Sequence, residues 1–130
     1  MSLGLIYVRL VNLTPHAISI LDGESKITYI IEASGRVARL VEQRQDAGIL
    51  IIAEREGEEE QKNVPSIPFS TVGYGEVEGL PEPEEGTLYI VSLPLAQALR
   101  TSGRRDILVV GTAVRRGGEI IGALGLSMIV

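Results

Sequence analysis

"TLYIVSLPLAQALRTSGRRDILVVGTAV", residues 87–114, holds the change of pattern on which the fold turns. "TLYIVS" (87–92) is a short apolar run rich in β-branched and aromatic residues, the signature of a buried strand. "LPLAQALRTSG" (93–103) then changes period. Ser92 offers an N-cap oxygen and Pro94 suits a first helical turn. Leu95, Ala98 and Leu99 fall at i, i+3 and i+4 and make one apolar face. Gly103 can take the left-handed position that ends a helix. The spacing predicts a helix over about 94–101, longer than any other in the chain, with those three residues buried. "DILVVGTAV" (106–114) returns to strand. Fourteen residues separate Ser92 from Ile107, enough for one short helix to connect two parallel strands.

Outward from this unit the chain reads mostly as strand. "LIYVRLVNL" (5–13) and "AISIL" (17–21) flank a Thr14-Pro15-His16 corner. Pro15 fixes its own φ and pushes Thr14 to an extended conformation, so the corner is rigid. "DGES" (22–25) has turn chemistry and "KITYIIE" (26–32) follows it, so 17–32 reads as a hairpin. After the "ASGR" turn (33–36) come two more strands, "VARLVE" (37–42) and "GILIIAE" (48–54). The second is apolar on both faces, which predicts a mid-sheet position. "REGEEEQKN" (55–63) reads as a solvated charged loop. "VPSIPFS" (64–70) carries two prolines, so a strand there lies at an edge. "TVGYGEVEGLPEPEEG" (71–86) reads as a structured loop. "RRGG" (115–118) links the strands 106–114 and 119–126 as a last hairpin. The fold class this predicts is α+β: mostly β, a mixed, largely antiparallel sheet, and one short helix, in a single domain of 130 residues.

Composition narrows the chemistry. There is no cysteine, which removes disulfides, thiolate metal sites and thiol nucleophiles and fits a reducing compartment. No apolar run approaches the ~18 residues of a membrane-spanning helix. The N-terminus lacks the basic segment of a signal peptide, so the sequence predicts a cytoplasmic protein with no membrane partner. The net charge is −5, against the basic footprint that nucleic-acid binding needs. It is unevenly spread. Residues 54–86 hold ten glutamates against Arg55 and Lys62, whereas residues 87–130 hold five arginines against Asp106 and Glu119. Abundant Arg, Glu, Ile and Val give the composition a thermophile-like cast.

The usual motifs are missing. Gly73, Gly75 and Gly79 match neither a dinucleotide fingerprint nor a phosphate loop, and Pro81 and Pro83 stop any helix that would follow. One histidine and no cysteine make a poor zinc site, and the glutamates lack calcium-loop spacing. No metal and no cofactor is expected. Ser92, His16 and Asp106 are present without a nucleophile elbow. In sheets with a parallel pair, ligands sit beyond the carboxyl ends of the strands, which draws attention to Ser92. Capping is the alternative role for that serine. His16 reads either as a positioned polar contact or as a structural histidine bonded to a nearby carbonyl; in both cases its ring should be partly covered and hydrogen-bonded.

"NLTPHAI", "YGEVEGLPEPEEGTLYIVS" and "RRDILVVGTAV…GGEIIGALGL" together resemble a family of small prokaryotic and phage-borne proteins. That family opens with Asn-Leu-Thr-Pro-His and carries a Tyr/Phe-Gly-Glu-Val…Gly-Leu-Pro loop, a "YIVS" strand and an Arg-x-Asp-Leu segment. The resemblance covers roughly half the chain and implies no reaction. It directs attention to Asn12, Thr14, His16, Tyr74, Glu76, Ser92, Arg105 and Asp106. Two functional readings follow. In the first the protein binds a small anionic or nucleotide-like ligand, with or without catalysis, through His16, Thr14, Ser92, Arg105 and Tyr74. In the second it is a non-catalytic, self-associating interaction protein, expected as a homodimer held by the uncharged end "GLSMIV" (125–130). Convergence of His16, Ser92 and Arg105 on one pocket favours the first, and their scatter favours the second.

Overall fold

The computed structural model describes residues 7–60 and 63–130. In chain order its elements are β1 (Arg9–Asn12), β2 (Ile18–Leu21), β3 (Ile27–Ile31), β4 (Arg39–Ile51), a 3-10 turn (Glu58–Glu60), β5 (Ser66–Glu78), β6 (Thr87–Ile90), α1 (Leu93–Ala98), β7 (Ile107–Val110), β8 (Ala113–Arg116), β9 (Glu119–Ala123) and β10 (Leu126–Ser127). The architecture is α+β and mostly β, with mixed sheets and a single short α-helix among the described residues. By its internal contacts the chain divides into two units, Met1–Leu40 with Val77–Val130, and Val41–Glu76.

The first unit holds two four-stranded sheets, one in the order β1-β6-β7-β10 and the other β3-β2-β9-β8. β6 is parallel to both β1 and β7, and α1 makes the crossover between β6 and β7. β10 closes that sheet antiparallel to β7. In the second sheet β2–β3 and β8–β9 are antiparallel hairpins joined by a parallel contact of β2 with β9.

Period-2 alternation explains why β6 and β7 are apolar at nearly every position: each face of their sheet has its own cover. Leu88, Ile90, Leu108 and Leu10 point to one side, where Ile18, Ile20 and Ile31 of the second sheet meet them. Tyr89, Val91, Ile107 and Val109 point to the other, against Leu95 and Ala96 of the helix, Leu13 and Ala38. The helix therefore buries Leu95 and Ala96 and half-buries Leu99, whereas Ala98 is exposed. At 100° per residue, Leu95, Leu99 and Ala96 span an arc that leaves Ala98 on its outer flank. The helix also stops at Ala98, short of 101. Leu99, Arg100 and Ser102 donate to carbonyls three residues back, tightening the chain into turns that end at Gly103, φ +81°.

The Thr-Pro-His corner carries the chain from the first sheet to the second, since β1 and β2 belong to different sheets. The last hairpin does the same twice. β7 and β8 form one bent path, as do β9 and β10, and both paths cross between the sheets at Gly111–Thr112 and Leu124–Gly125. There the Gly111 N–H donates to the Gly125 carbonyl at 2.8 Å and the Leu124 N–H to that of Thr112 at 2.9 Å. A Cβ at Gly111 would stand 2.8 Å from the Gly125 oxygen, so the crossing needs a glycine. Gly117 and Gly118 turn the hairpin with φ +61° and +85°, as a primed turn requires.

The second unit differs most from the sequence expectation. β4 and β5, 13 residues each, form a two-stranded ribbon. They run antiparallel: the Ile52 N–H donates to the Pro65 carbonyl at 2.9 Å, Thr71 reaches the Gln45 carbonyl, and Gly75 lies against Gln43. The strands expected at 37–42 and 48–54 are thus one strand, continuous through "QRQDA". Residues 71–78, expected as loop, are strand; only 79–86 form the loop. In a two-stranded ribbon both strands are edges, which is why Pro68 fits within one. Residues 48–54 are not mid-sheet: Ile49, Leu50, Ile51 and Ile52 are all exposed. Among the described residues of Val41–Glu76 none is buried.

Candidate functional site

The corner at 12–16 is organised by a residue to which the sequence reading gave no chemical role. Asn12 ends β1 with 1% of its surface exposed. Its Nδ2 donates to the His16 carbonyl at 2.8 Å and to the Ile31 carbonyl at 3.2 Å. Its Oδ1 accepts from the Thr14 N–H at 3.0 Å and the Thr14 hydroxyl at 2.6 Å. Its backbone carbonyl accepts from the Ser34 N–H at 3.0 Å. One amide thus ties together the end of β1, the corner and the end of β3, with both donors and both acceptor positions in use. The signal for it was Asn two residues before Thr14, the spacing at which an Asn oxygen takes a backbone N–H.

His16 departs from expectation. It is exposed, and among the described residues nothing bonds its ring; the backbone carbonyl is the group the corner uses. The proline fixes the chain direction, but the imidazole points into water. Thr14 serves the corner through Asn12. Ser92 occupies the N-cap position with extended φ and ψ, yet its side chain makes no capping bond and is exposed.

Thr14, His16 and Ser92 follow the carboxyl ends of the parallel strands β1 and β6. Arg105 precedes β7. Because Tyr89 is level with Ile107, Arg105 is level with Thr87, five residues from Ser92 along the strands, or about 16 Å at 3.3 Å per residue. Arg105 is therefore at the opposite end of the sheet. Tyr74 belongs to the other unit and is exposed on the ribbon. The three residues His16, Ser92 and Arg105 form no common pocket.

The neighbouring Arg104 is the arginine with partners. Its Nε and Nη2 donate to the two oxygens of Asp106, both at 2.8 Å, and Nη2 also donates to the Pro81 carbonyl at 3.0 Å. The pair is mostly shielded from solvent. The guanidinium fork holds the Asp106 carboxyl below its ordinary range, against the opposing pull of burial. The hydrogen bond to Asp106 likewise raises Arg104. This cluster pins the loop 79–86 to the start of β7, aided by the Tyr89 hydroxyl donating to the Glu82 carbonyl at 3.3 Å. Arg104 Nε and Nη2 and both Asp106 oxygens are thus spent on holding the chain.

The clefts are sparing in chemistry. One of about 210 Å³ is lined by Ala17, Ile18, Ser19, Val110 and residues 120–123, with no titratable group. It falls below the usual range of small-molecule sites. A wider groove of about 490 Å³ runs between the edge strands β1 and β3, lined by Val8, Arg9, Leu10 and residues 29–32, and holds none of the expected site residues. Among the described residues no group of three His, Asp or Glu side chains is placed to hold a metal ion, and no helix is long and apolar enough to cross a membrane. Compared with family models, curated proteins and solved structures, the chain matches none.

What the surface does concentrate is apolar area, on the ribbon. Ile49, Leu50, Ile51, Ile52, Ile67, Phe69, Val72 and Tyr74 are all exposed there. No charged residue occurs in 48–53 or in 64–75. By contrast, the C-terminal segment expected to mediate association is partly used internally. Leu126 packs on one core and Ile129 on the other, leaving Met128 and Val130 exposed.

Proposed function

We propose that this is a non-catalytic, self-associating interaction protein of the cytoplasm, and that its working surface is the ribbon 41–76. One observation carries the reading: a segment of 36 residues has ordered strands and no buried residue among those described. Fixing a residue's backbone costs about 1–2 kcal/mol, and a two-stranded hairpin is marginal in water without a further layer. The ribbon's order therefore calls for apolar cover from a partner molecule, and large exposed apolar patches mark interaction surfaces. The scatter of His16, Ser92 and Arg105, and a polar cluster whose hydrogen bonds hold a loop to a strand, weigh against the small-ligand reading. Kinship with the small prokaryotic and phage-borne family rests on the motifs around Asn12, Tyr74 and Asp106 and is part of the same proposal.

Light scattering on the full chain across a dilution series tests it. A mass that rises with concentration to a multiple of the 14.0 kDa chain supports it. A mass fixed at one chain up to high micromolar concentration refutes it.

A further inference from the structure

Within the first unit, the two sheets meet along a seam between their edge strands β1 and β3. One end of the seam is closed. Asn12 bridges Ala33 in parallel, and the Ser34 N–H donates to the Asn12 carbonyl. In a parallel pair, alternate residues turn their backbone groups toward the partner. Since Asn12 and Ser34 face the seam, Leu10 on β1 and Ile30 and Glu32 on β3 face it too. Arg9 has the other parity: its N–H donates to the Gly86 carbonyl at 2.8 Å, on the side of β6. Before Asn12 the two strands part, and a groove of about 490 Å³ opens between them. β1 pairs only with β6 and β3 only with β2, so among the described residues the seam-facing groups of Leu10 and Ile30 have no ladder partner.

The side chains of the groove differ by side. Leu10 and Ile31 point inward, into the core between the sheets. Two positions earlier on the same side, Val8 and Tyr29 remain 41% and 61% exposed. The inward side is therefore apolar and uncovered. On the outward side the register sets Arg9 level with Ile30. It sets Glu32 level with Val11, two residues or about 6.6 Å further along. Both charged side chains are exposed, and among the described residues neither forms an ion pair.

These features describe one kind of occupant. Two walls that run in the same direction, each offering backbone donors and acceptors, match a single strand that pairs with both. A small ligand has no repeating backbone to match them. Antiparallel pairing is the commoner sense. Inward side chains of such a strand must be apolar to cover Val8 and Tyr29. Outward ones complement Glu32 with a base and Arg9 with an acid.

We infer that the seam takes an extended segment of a partner protein, antiparallel to β1 and β3. Its apolar residues alternate on the inward side, and a basic and an acidic residue stand at i and i+2 on the outward side. The site lies wholly in the first unit and does not depend on the ribbon.

The probe is the end-capped peptide Lys-Val-Glu-Val-Thr-Val, titrated into the full-length, isotope-labelled chain. In the free chain the Leu10 amide should exchange quickly with solvent, and that of Val11, turned to β6, slowly. Saturating peptide should slow exchange at Leu10, Ile30 and Glu32 about tenfold or more. The same peptide N-methylated at its glutamate and the valine after it lacks one donor toward each wall. It should bind about tenfold more weakly or worse. The double variant Arg9→Glu, Glu32→Arg, altered only at exposed side chains, should instead prefer Glu-Val-Lys-Val-Thr-Val. Leu10 and Ile30 amides already protected in the free, dilute chain would mean that the chain fills its own seam. Protection that appears only as the chain is concentrated would mean that a second copy fills it. Either result overturns the inference. So does a probe that fails to bind at about 1 mM, that binds without slowing these amides, or that binds the wild type as well when methylated or charge-exchanged.

Discussion

Replacing Asn12 by Asp changes one atom group and should cost the fold heavily. In the wild type, Nδ2 donates to the carbonyls of His16 and Ile31 at 2.8 and 3.2 Å. In the Asn12→Asp variant a carboxylate oxygen faces those same two oxygens in a site that is 1% exposed. Two hydrogen bonds of about 1 kcal/mol net each are lost, and two buried acceptors are left facing a third. Burial of an unpaired charge adds further cost. A total of about 4 kcal/mol is expected at pH 7, a large part of the 5–15 kcal/mol typical of a domain. The variant also gains a pH dependence of definite sign. Its new carboxyl is better tolerated neutral, when it can donate one bond to the His16 carbonyl, so its folded pKa lies above its unfolded value of about 3.9. The penalty is then fully present above the folded pKa. It shrinks as pH falls through the window between the two values and is smallest below the unfolded one. Urea unfolding at fixed protein concentration, followed by far-UV circular dichroism and tyrosine fluorescence, measures both effects. A loss under about 1 kcal/mol at pH 7, or a gap from wild type that does not narrow between pH 7 and pH 4, refutes the role given to Asn12.

Other positions give sharper yes-or-no outcomes. His16→Ala should change stability by less than about 0.5 kcal/mol, because the corner uses the backbone carbonyl and not the ring; urea titration reads it. Ser92→Ala should likewise cost less than about 0.5 kcal/mol, below the ~1 kcal/mol of a working cap, since no capping bond is made. Asp106→Asn should cost about 1–3 kcal/mol at neutral pH. The wild-type Asp106 carboxyl is lowered in the folded state, so its contribution is present above the unfolded carboxylate pKa and is lost as pH falls through the folded one. The variant's stability curve should therefore lie flatter on the acid side in parallel urea titrations. Gly111→Ala drives a methyl to 2.8 Å from the Gly125 oxygen and should cost about 1–3 kcal/mol, with a lowered melting temperature as the readout.

The strand–helix–strand core was legible because its residues agree at every level. Unbroken apolar runs at 88–91 and 107–110 announce strands covered on both faces, and the proline and glycine bracket one short helix. The ribbon was not legible, for two physical reasons. "QRQDA" is polar at every position except its final alanine, and Pro68, Gly73 and Gly75 punctuate the partner strand; a two-stranded ribbon lets every position behave as an edge and accepts all of these. Apolarity on both faces at 48–52 then read as burial, although here it accompanies exposure. Asn12 was legible only in part: three of its four side-chain bonds are local, to Thr14 and His16, but the fourth goes to Ile31, nineteen residues away. Arg104 and Arg105 differ only in parity: the residue two before Asp106 falls on its side of the chain, and Arg105 falls on the other.

Gly79 has a consequence for how the chain closes on itself. A Cβ there would lie 2.5 Å from the Val37 carbonyl oxygen, so the chain leaving the first unit after Leu40 and the chain returning at Val77 belong to neighbouring segments. The pairing of β1 with β6 closes a long loop, and residues 41–76 make up about half of it. Closure entropy grows only logarithmically with loop length, so halving the loop eases closure by about 0.6 kcal/mol. The ribbon can therefore lengthen, shorten or change its apolar face over generations with little effect on the folding of the two sheets. Drift in the ribbon is thereby separated from drift in the scaffold.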